Sequence, residues 1–193
     1  MQEYIKNQLL ESAGVKMNLA AQFTESIAEI TKTCIESLKG GGKIMFCGNG
    51  GSAADSQHLA TELVVRLSGK LNRPALPAIA LTTDTSLITA CSNDFSFNEI
   101  FARQVEALAN SGDVLIAIST SGNSPNVLRA VEVARAEGVV TIGLAGGDGG
   151  KLKDDADQIL IVPSSDVQRI QESHITIGHI VIGLVERELY PNE

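Results

Sequence analysis

The sequence contains no tryptophan and few other aromatic residues, so large rings cannot supply its core. Only 4% of the 193 residues are Phe, Trp or Tyr, while hydrophobic residues make up 44%. The core must therefore rest on Ile, Leu, Val and Ala. A chain of this length buries about 70% of the surface that its unfolded form exposes, so it can build one core without disulfides.

Basic residues are too few to suggest a polyanionic partner. Lys and Arg number 15 against 23 Asp and Glu, which gives a net charge of −8. This balance argues against a nucleic-acid groove and against binding to an anionic membrane surface. It stays compatible with a small anionic ligand, because backbone N–H groups bind phosphate without net positive charge.

Cysteines and long apolar runs are also scarce. The three cysteines, Cys34, Cys47 and Cys91, lie far apart with no CxxC spacing. Their odd number and the lack of a signal peptide predict a reducing cytoplasm, with the thiols buried as small apolar groups. No apolar run approaches the length of a membrane span.

Apolar patterns predict an alternation of strands and helices. Residues 2 to about 39 have helical spacing, with a break expected near Gly14. Buried strands are predicted at 43–47, 77–81, 114–118, 139–144 and 158–162. Helices are predicted at about 53–66, 84–92, 98–109, 124–137 and 167–189. Such an alternation predicts a doubly wound α/β fold, in which helices cover both faces of a parallel sheet.

The pattern predicts one domain over residues 1–193, with a helical region at 1–40, an α/β core at 41–165 and a C-terminal helix at 166–190. The last helix is apolar on nearly all sides between residues 175 and 185. A helix with that pattern is buried, and in a chain this small a subunit interface is a natural place to bury it.

A loop rich in hydroxyl groups follows the strand at 114–118. Four hydroxyl side chains occur in the six residues 119–124, and Ser124 before Pro125 suits the start of a helix. Hydroxyls and free N–H groups at a helix N-terminus favour a phosphate, although an ordinary polar turn with a capping serine uses the same residues. The loop lacks the lysine of a Walker motif, which argues against a nucleoside triphosphate.

A glycine-rich loop, Gly48-Asn49-Gly50-Gly51-Ser52, follows the strand at 43–47. It differs from the GxGxxG pattern of dinucleotide-binding proteins. Glycines allow a ligand to approach the backbone, and they serve equally well in a tight turn.

Two helices carry clusters of chemically versatile side chains. His58 and Glu62 are four residues apart and share a helix face, a spacing that suits a metal site or, more commonly, a surface pair. The last helix carries Gln171, Glu172, His174 and His179. At ~100° per residue, His174 and His179 point about 140° apart, so they serve different surroundings. Asn93-Asp94 reads from composition alone as the end of a helix.

Five segments together resemble the sugar isomerase (SIS) domain and, within it, the phosphoheptose isomerase family. The matching segments are CGNGGSAADSQHLATEL at 47–63, NDFSFNEIF at 93–101, AISTSGNSPNV at 117–127, GGDGGKL at 146–152 and RIQESHITIGHIVI at 169–182. The resemblance covers nearly the whole chain. It implies a three-layer αβα sandwich with a central parallel sheet, and N- and C-terminal helices in an oligomer interface.

The resemblance also implies roles for individual residues. Glu62 and His179 match the acid/base pair. The positions that match zinc ligands, one ion per subunit, are His58, Glu62, Gln171 and His179. The positions that match substrate contacts are Asn49, Gly50, Gly51, Glu62, Asn93, Asp94, Ser119, Thr120, Ser121, Ser124 and Gln171, and the four hydroxyl residues among them match the phosphate site.

The implied activity is isomerisation of D-sedoheptulose 7-phosphate to D-glycero-D-manno-heptose 7-phosphate by a cytoplasmic homotetramer, as the first step toward activated heptose for lipopolysaccharide or another surface glycan. One position departs from the family pattern, because Gln168 stands where members often carry Asp. Three alternatives stay open: a non-catalytic SIS adaptor that binds the replication initiator, a sugar-phosphate sensor, and an isomerase or etherase of another sugar phosphate.

Overall fold

The computed structural model describes residues 1–191. Two helices open the chain, α1 (Gln2–Gln22) and α2 (Thr24–Lys39). The break between them falls at Phe23, so the prediction of a break near Gly14 is wrong. Gly14 lies inside α1, where a Cβ would meet nothing within 4 Å, and glycine in a helix costs only about 1 kcal/mol relative to alanine.

Five parallel strands form one sheet in the order β2-β1-β3-β4-β5. The strands are β1 (Ile44–Gly48), β2 (Ala78–Ala80), β3 (Val114–Ile118), β4 (Val140–Gly146) and β5 (Gln158–Val162). The order runs from β1 outward in both directions, which places the topological switch between β1 and β3. Those two strands pair in register, with Gly48 opposite Ile118 at their carboxyl ends.

The remaining helices cover both faces of this sheet, which confirms the predicted αβα sandwich. They are α3 (Gly51–Val64), α4 (Thr85–Asp94), α5 (Ala102–Leu108), α6 (Pro125–Ala136), α7 (Leu152–Asp155) and α8 (Val167–Leu189). Side chains of β1 alternate between two apolar clusters. Phe46 packs in one with α2, α3 and α8, and Met45 packs in the other with α5 and α6.

Two helical predictions differ from the structure. The helix expected at 98–109 is divided into a 3₁₀ turn (Phe97–Glu99) and α5. The four-residue helix α7 was not predicted, since one turn is too short to show a period.

Helix α8 is buried largely within its own chain. Ile177, Val181, Ile182 and Val185 are at most 5% exposed. In the second half of the helix Ile180 and Leu184 are exposed, and they line a groove of about 300 Å³ shared with α1 and α2.

The three cysteines are buried and unbridged, as predicted. Burial raises the pKa of the Cys34 and Cys47 thiols to about 12, so both stay protonated near neutral pH. Among residues 1–191, no helix combines the length and the apolar character that crossing a membrane requires.

Candidate active site

The two loops singled out in the sequence meet at the carboxyl edge of the sheet. The glycine-rich loop leaves β1 at Gly48 and the hydroxyl-rich loop leaves β3 at Ile118, and these residues are paired neighbours. Ligands of open α/β sheets bind at this kind of crevice, outside the switch in strand order.

The hydroxyl-rich loop presents hydroxyl groups and unpaired N–H groups at the start of α6. The Oγ atoms of Ser119 and Ser124 lie 3.0 Å apart, and Ser124 does not cap the helix with its side chain. Within residues 1–191 the backbone N–H groups of Thr120, Ser121 and Ser124 donate no hydrogen bond. Unpaired N–H donors at the positive end of a helix are the groups that bind phosphate.

A second loop, residues 146–150, lies next to the hydroxyl-rich loop and supports it with hydrogen bonds. The N–H of Gly146 donates to the carbonyl of Thr120, and the N–H of Leu152 donates to that of Gly122. Gly122 has φ +64°, and a Cβ there would lie 1.9 Å from the carbonyl oxygen of Gly149. Only glycine fits at this position, so the loop shape depends on it.

Asn126 joins the two strand-end loops and was not predicted as a site residue. Its amide exchanges two hydrogen bonds of 2.8 Å with the amide of Asn49, one in each direction. Asn126 is 1% exposed and also accepts from the N–H of Val127. In the sequence it lies inside the matched segment 117–127, but nothing local reveals a partner 77 residues away.

The structure brings His58, Glu62 and His179 together. The Nε2 atoms of the two histidines lie 2.8 Å apart, and Oε1 of Glu62 lies 3.4 Å from Nε2 of His58. The three ligand atoms all lie within 4.8 Å of one another. The Glu62 side chain is 16% exposed and that of His58 is 48% exposed. Two imidazole nitrogens and a carboxylate oxygen are ligands that divalent transition metals take, so the residues fit a metal site.

Gln171, the fourth predicted ligand, lies nearer the glycine-rich loop. Its side chain covers Gly51, where a Cβ would lie 1.9 Å from Nε2 of Gln171. Eight residues of helix, about 12 Å of rise, separate Gln171 from His179. Gln171 therefore packs against the start of α3, and its role as a ligand stays a prediction.

His174 and Glu172, the other two residues of α8 singled out in the sequence, have their hydrogen bonds away from the three converging residues. His174 is fully buried, with Nε2 3.1 Å from the carbonyl oxygen of Ala145. Burial lowers the pKa of its imidazole to about 4, and the hydrogen bond with Ala145 partly opposes that shift. Glu172 accepts from Ser12 and Arg169, over 2.6 and 2.7 Å. The hydrogen bond from Ser12 is the main reason that the pKa of Glu172 is lowered.

Gln168, the departure from the family pattern, lies in the first turn of α8. Its side chain is exposed and its N–H donates to the capping carboxylate of Asp166 over 2.7 Å.

Asn93 and Asp94 close α4 and are exposed. Asn93 donates to Asp94 over 2.8 Å. Within residues 1–191 no side-chain hydrogen bond joins either of them to the two loops, so their substrate contacts stay a prediction.

Asp55 is a second polar residue that was not predicted. It lies on α3 between Gly51 and His58, is 9% exposed, and its Oδ2 has no hydrogen-bond partner among the described residues. Burial raises the pKa of its carboxyl to about 6, and the nearby His58 opposes that shift.

Known proteins share both the sequence and the fold. The SIS domain family matches residues 10–146. A phosphoheptose isomerase of Paramagnetospirillum magneticum is 54% identical over 188 residues, which cover 97% of this chain and 97% of that protein. The chain belongs to the phosphoheptose isomerase family. This membership confirms the predicted family and the predicted enzyme class, an aldose–ketose isomerase.

Solved structures agree. A phosphoheptose isomerase from Francisella tularensis superposes with a TM-score of 0.92 at 39% identity, and one from Neisseria gonorrhoeae with 0.89 at 41%. Each comparison covers 96% of this chain and 98% of the other.

Proposed function

We propose that the protein converts D-sedoheptulose 7-phosphate to D-glycero-D-manno-heptose 7-phosphate. One observation carries the proposal. Helix α3 begins beside the hydroxyl-rich loop, and farther along it carries His58 and Glu62, which meet His179. Seven residues from Gly51 to His58 correspond to about 10 Å of helix. An elongated sugar phosphate can then place its phosphate at one end and its reacting carbons at the other.

The phosphate end is assigned to Ser119, Thr120, Ser121 and Ser124. Their hydroxyl groups and the unpaired N–H groups of Thr120, Ser121 and Ser124 would surround the phosphate oxygens at the start of α6. The sugar chain would pass Asn49, Gly50, Gly51 and Gln171, with Asn93 and Asp94 as further contacts.

Proton transfer is assigned to Glu62 and His179. The Glu62 carboxylate removes a proton from C1 of the ketose while His179, in its protonated form, donates a proton to the oxygen on C2, and an enediol forms. Glu62 then returns its proton to C2, and His179 takes the proton of the C1 hydroxyl, which leaves an aldehyde at C1 and restores both groups. Atoms balance, because the reaction only relocates hydrogen.

A zinc ion is proposed at the converging residues, one per subunit. His58, Glu62, Gln171 and His179 would hold it, and when bound it would polarise the substrate carbonyl or orient the two acid/base groups. An amide oxygen is a weaker ligand than the usual Cys, His and carboxylate set, so we expect the metal to be removable by a chelator.

The first experiment is turnover of sedoheptulose 7-phosphate by wild type and Glu62→Gln. The variant keeps the shape and loses the base, so we expect a drop in kcat of about 10²- to 10⁴-fold. Glu36→Gln is the matched control, because Glu36 is an exposed glutamate on α2 whose one ion pair among residues 1–191 is with Lys32. Full activity of Glu62→Gln would remove Glu62 from the base role. Chelation followed by addition of zinc tests the metal separately.

Oligomeric state and location complete the proposal. The exposed pair Ile180 and Leu184 and the groove beside them support a homotetramer in which α1, α2 and α8 meet partner subunits. Light scattering should report four chains, and a stable monomer would contradict this.

We place the enzyme in the cytoplasm, in a step toward activated heptose for surface glycans, without nucleic-acid or membrane partners. The prediction of one domain over 1–193 is kept, with residues 192 and 193 outside the described part.

The adaptor alternative is disfavoured by the residues themselves. SIS adaptors lack the full set of metal and acid/base residues, whereas His58, Glu62 and His179 converge here. Isomerisation of a different sugar phosphate stays distinguishable by assay, since substrates of other chain length would then be turned over faster.

A further inference from the structure

Arg73 carries a buried guanidinium, although it lies in the connection between α3 and β2. Its side chain is 0% exposed and that of Glu186 is 4% exposed. The Nε–H of Arg73 donates to Oε1 of Glu186 over 2.8 Å. Charges buried to this extent persist only when they are paired and hydrogen-bonded, so each of the two depends on the other.

The other donors of Arg73 close the end of α3. Nη2 donates to the carbonyl of Glu62 over 2.8 Å, and Nη1 donates to the carbonyls of Leu63 and Pro74 over 2.8 and 2.9 Å. Carbonyls in the last turn of a helix have no partner inside the helix, and a cation there interacts favourably with the helix dipole. Arg73 therefore binds the backbone of Glu62 itself.

Glu186 ties this assembly to α8. It lies seven residues after His179, which puts both on one face of the helix, about 10 Å apart along its axis. Its Oε1 also accepts from the N–H of Leu67 over 3.0 Å. One carboxylate thus holds the chain that leaves α3 at two points, Leu67 and Arg73.

We propose that Arg73 and Glu186 are a positioning pair for the acid/base residues. The pair fixes the last turn of α3 against α8 and so holds Glu62 and His58 at their distances from His179. This inference rests on the proposed roles of Glu62 and His179. A positioning pair is needed because the two histidines, whose Nε2 atoms lie 2.8 Å apart, are on different helices and 121 residues apart in sequence. A displacement of about 1 Å at a reacting group can cost about 100-fold in rate.

The test uses two variants that differ in how they remove the pair. Glu186→Gln keeps the shape of the side chain and removes its charge. The double variant Arg73→Met/Glu186→Met replaces both charges with apolar side chains, an exchange that proteins often tolerate without loss of stability. For both we expect kcat to fall by about 10- to 100-fold. KM should change by less than about twofold, because the phosphate site lies at the other end of α3.

A second ion pair with a buried carboxylate provides the control. Asp113, whose side chain is 2% exposed, pairs with Lys43 just before β3 and β1 begin. Asp113→Asn should lower the melting temperature and leave kcat unchanged.

The outcomes separate the possibilities. An unchanged kcat in folded Glu186→Gln and in the double variant would overturn the proposal, and so would an equal loss of kcat in Asp113→Asn. Failure of both pair variants to fold would assign the pair to stability alone and overturn it as well. A wild type without heptose-phosphate turnover, or an active Glu62→Gln, would instead refute the proposed function.

Discussion

Mild acidification should destabilise this protein through His174. The imidazole is fully buried on α8, and its ring nitrogen Nδ1 has no partner among the described residues. Burial holds the pKa of His174 at about 4, against 6.5 for the exposed group. As the pH falls through 6.5, His174 becomes protonated in the unfolded chain but stays neutral in the folded chain, so the free energy of unfolding decreases. The effect is absent well above pH 6.5 and complete below about pH 4.

The magnitude follows from these two values. At full titration the difference between 6.5 and about 4 corresponds to roughly 3 kcal/mol. Between pH 7.5 and 5.5 the same linkage gives a loss of roughly 1 kcal/mol. Asp55 acts in the opposite sense, because burial raises the pKa of its carboxyl to about 6 and its protonation favours the folded state as the pH falls. The wild-type curve alone therefore does not isolate His174.

Comparison with His174→Gln isolates the contribution of His174 to the pH dependence of stability. The glutamine amide can still donate to the carbonyl of Ala145 but does not titrate, while Asp55 stays in place in both proteins. Urea unfolding of both proteins from pH 7.5 to 5.5, at fixed ionic strength and protein concentration and with a chelator present, gives the two free energies of unfolding. We expect the wild type to lose roughly 1 kcal/mol more than the variant over this range.

Parallel curves for the two proteins would refute the reasoning. They would mean that His174 has the same proton affinity in the folded and unfolded chains, and hence that its surroundings stabilise the imidazolium. A variant that loses more stability than wild type would reverse the sign and refute it equally.

Three further predictions concern the loops. Replacing Ser119, Ser121 and Ser124 together by Ala should raise KM by about 100-fold or more with a smaller change in kcat, because hydrogen bonds to a charged group are lost; an unchanged KM would remove the loop from the phosphate site. Gly122→Ala should lower the free energy of unfolding by about 2 kcal/mol or more in a denaturant titration, since φ is +64° and a carbonyl oxygen occupies the space, whereas a neutral result would contradict the observed loop shape. Asn126→Ala should cost about 1–3 kcal/mol, because it leaves a partly buried amide unpaired, and Asn126→Asp should restore only part of that cost; wild-type stability of the alanine variant in the same titration would refute it.

Much of the fold could be predicted because its signals are local. The strands at 114–118 and 158–162 and the helix at 167–189 coincide with the predicted bounds. Each is an apolar run or a helical period long enough to be read without its surroundings. Where the local signal was weak it misled: Gly14 suggested a break that the helix does not have.

The candidate site could be predicted from composition and spacing only in part. The hydroxyl-rich loop could be identified from composition, since helix N-termini and strand ends impose the same chemistry in many proteins. His58 and Glu62 share a helix face by spacing alone, but spacing favoured a surface pair. Only the resemblance to a family pointed to a metal and distinguished His179 from His174.

The sequence by itself determined the alternation of strands and helices, the two polar loops at strand ends and the family. Tertiary structure decided which distant residues meet. His58 with His179, Asn49 with Asn126, and Arg73 with Glu186 are pairs separated by 121, 77 and 113 residues. No periodicity links such residues, because their contact depends on how the sheet and the packed helices bring separate segments together, and on burial that makes each polar group require its partner.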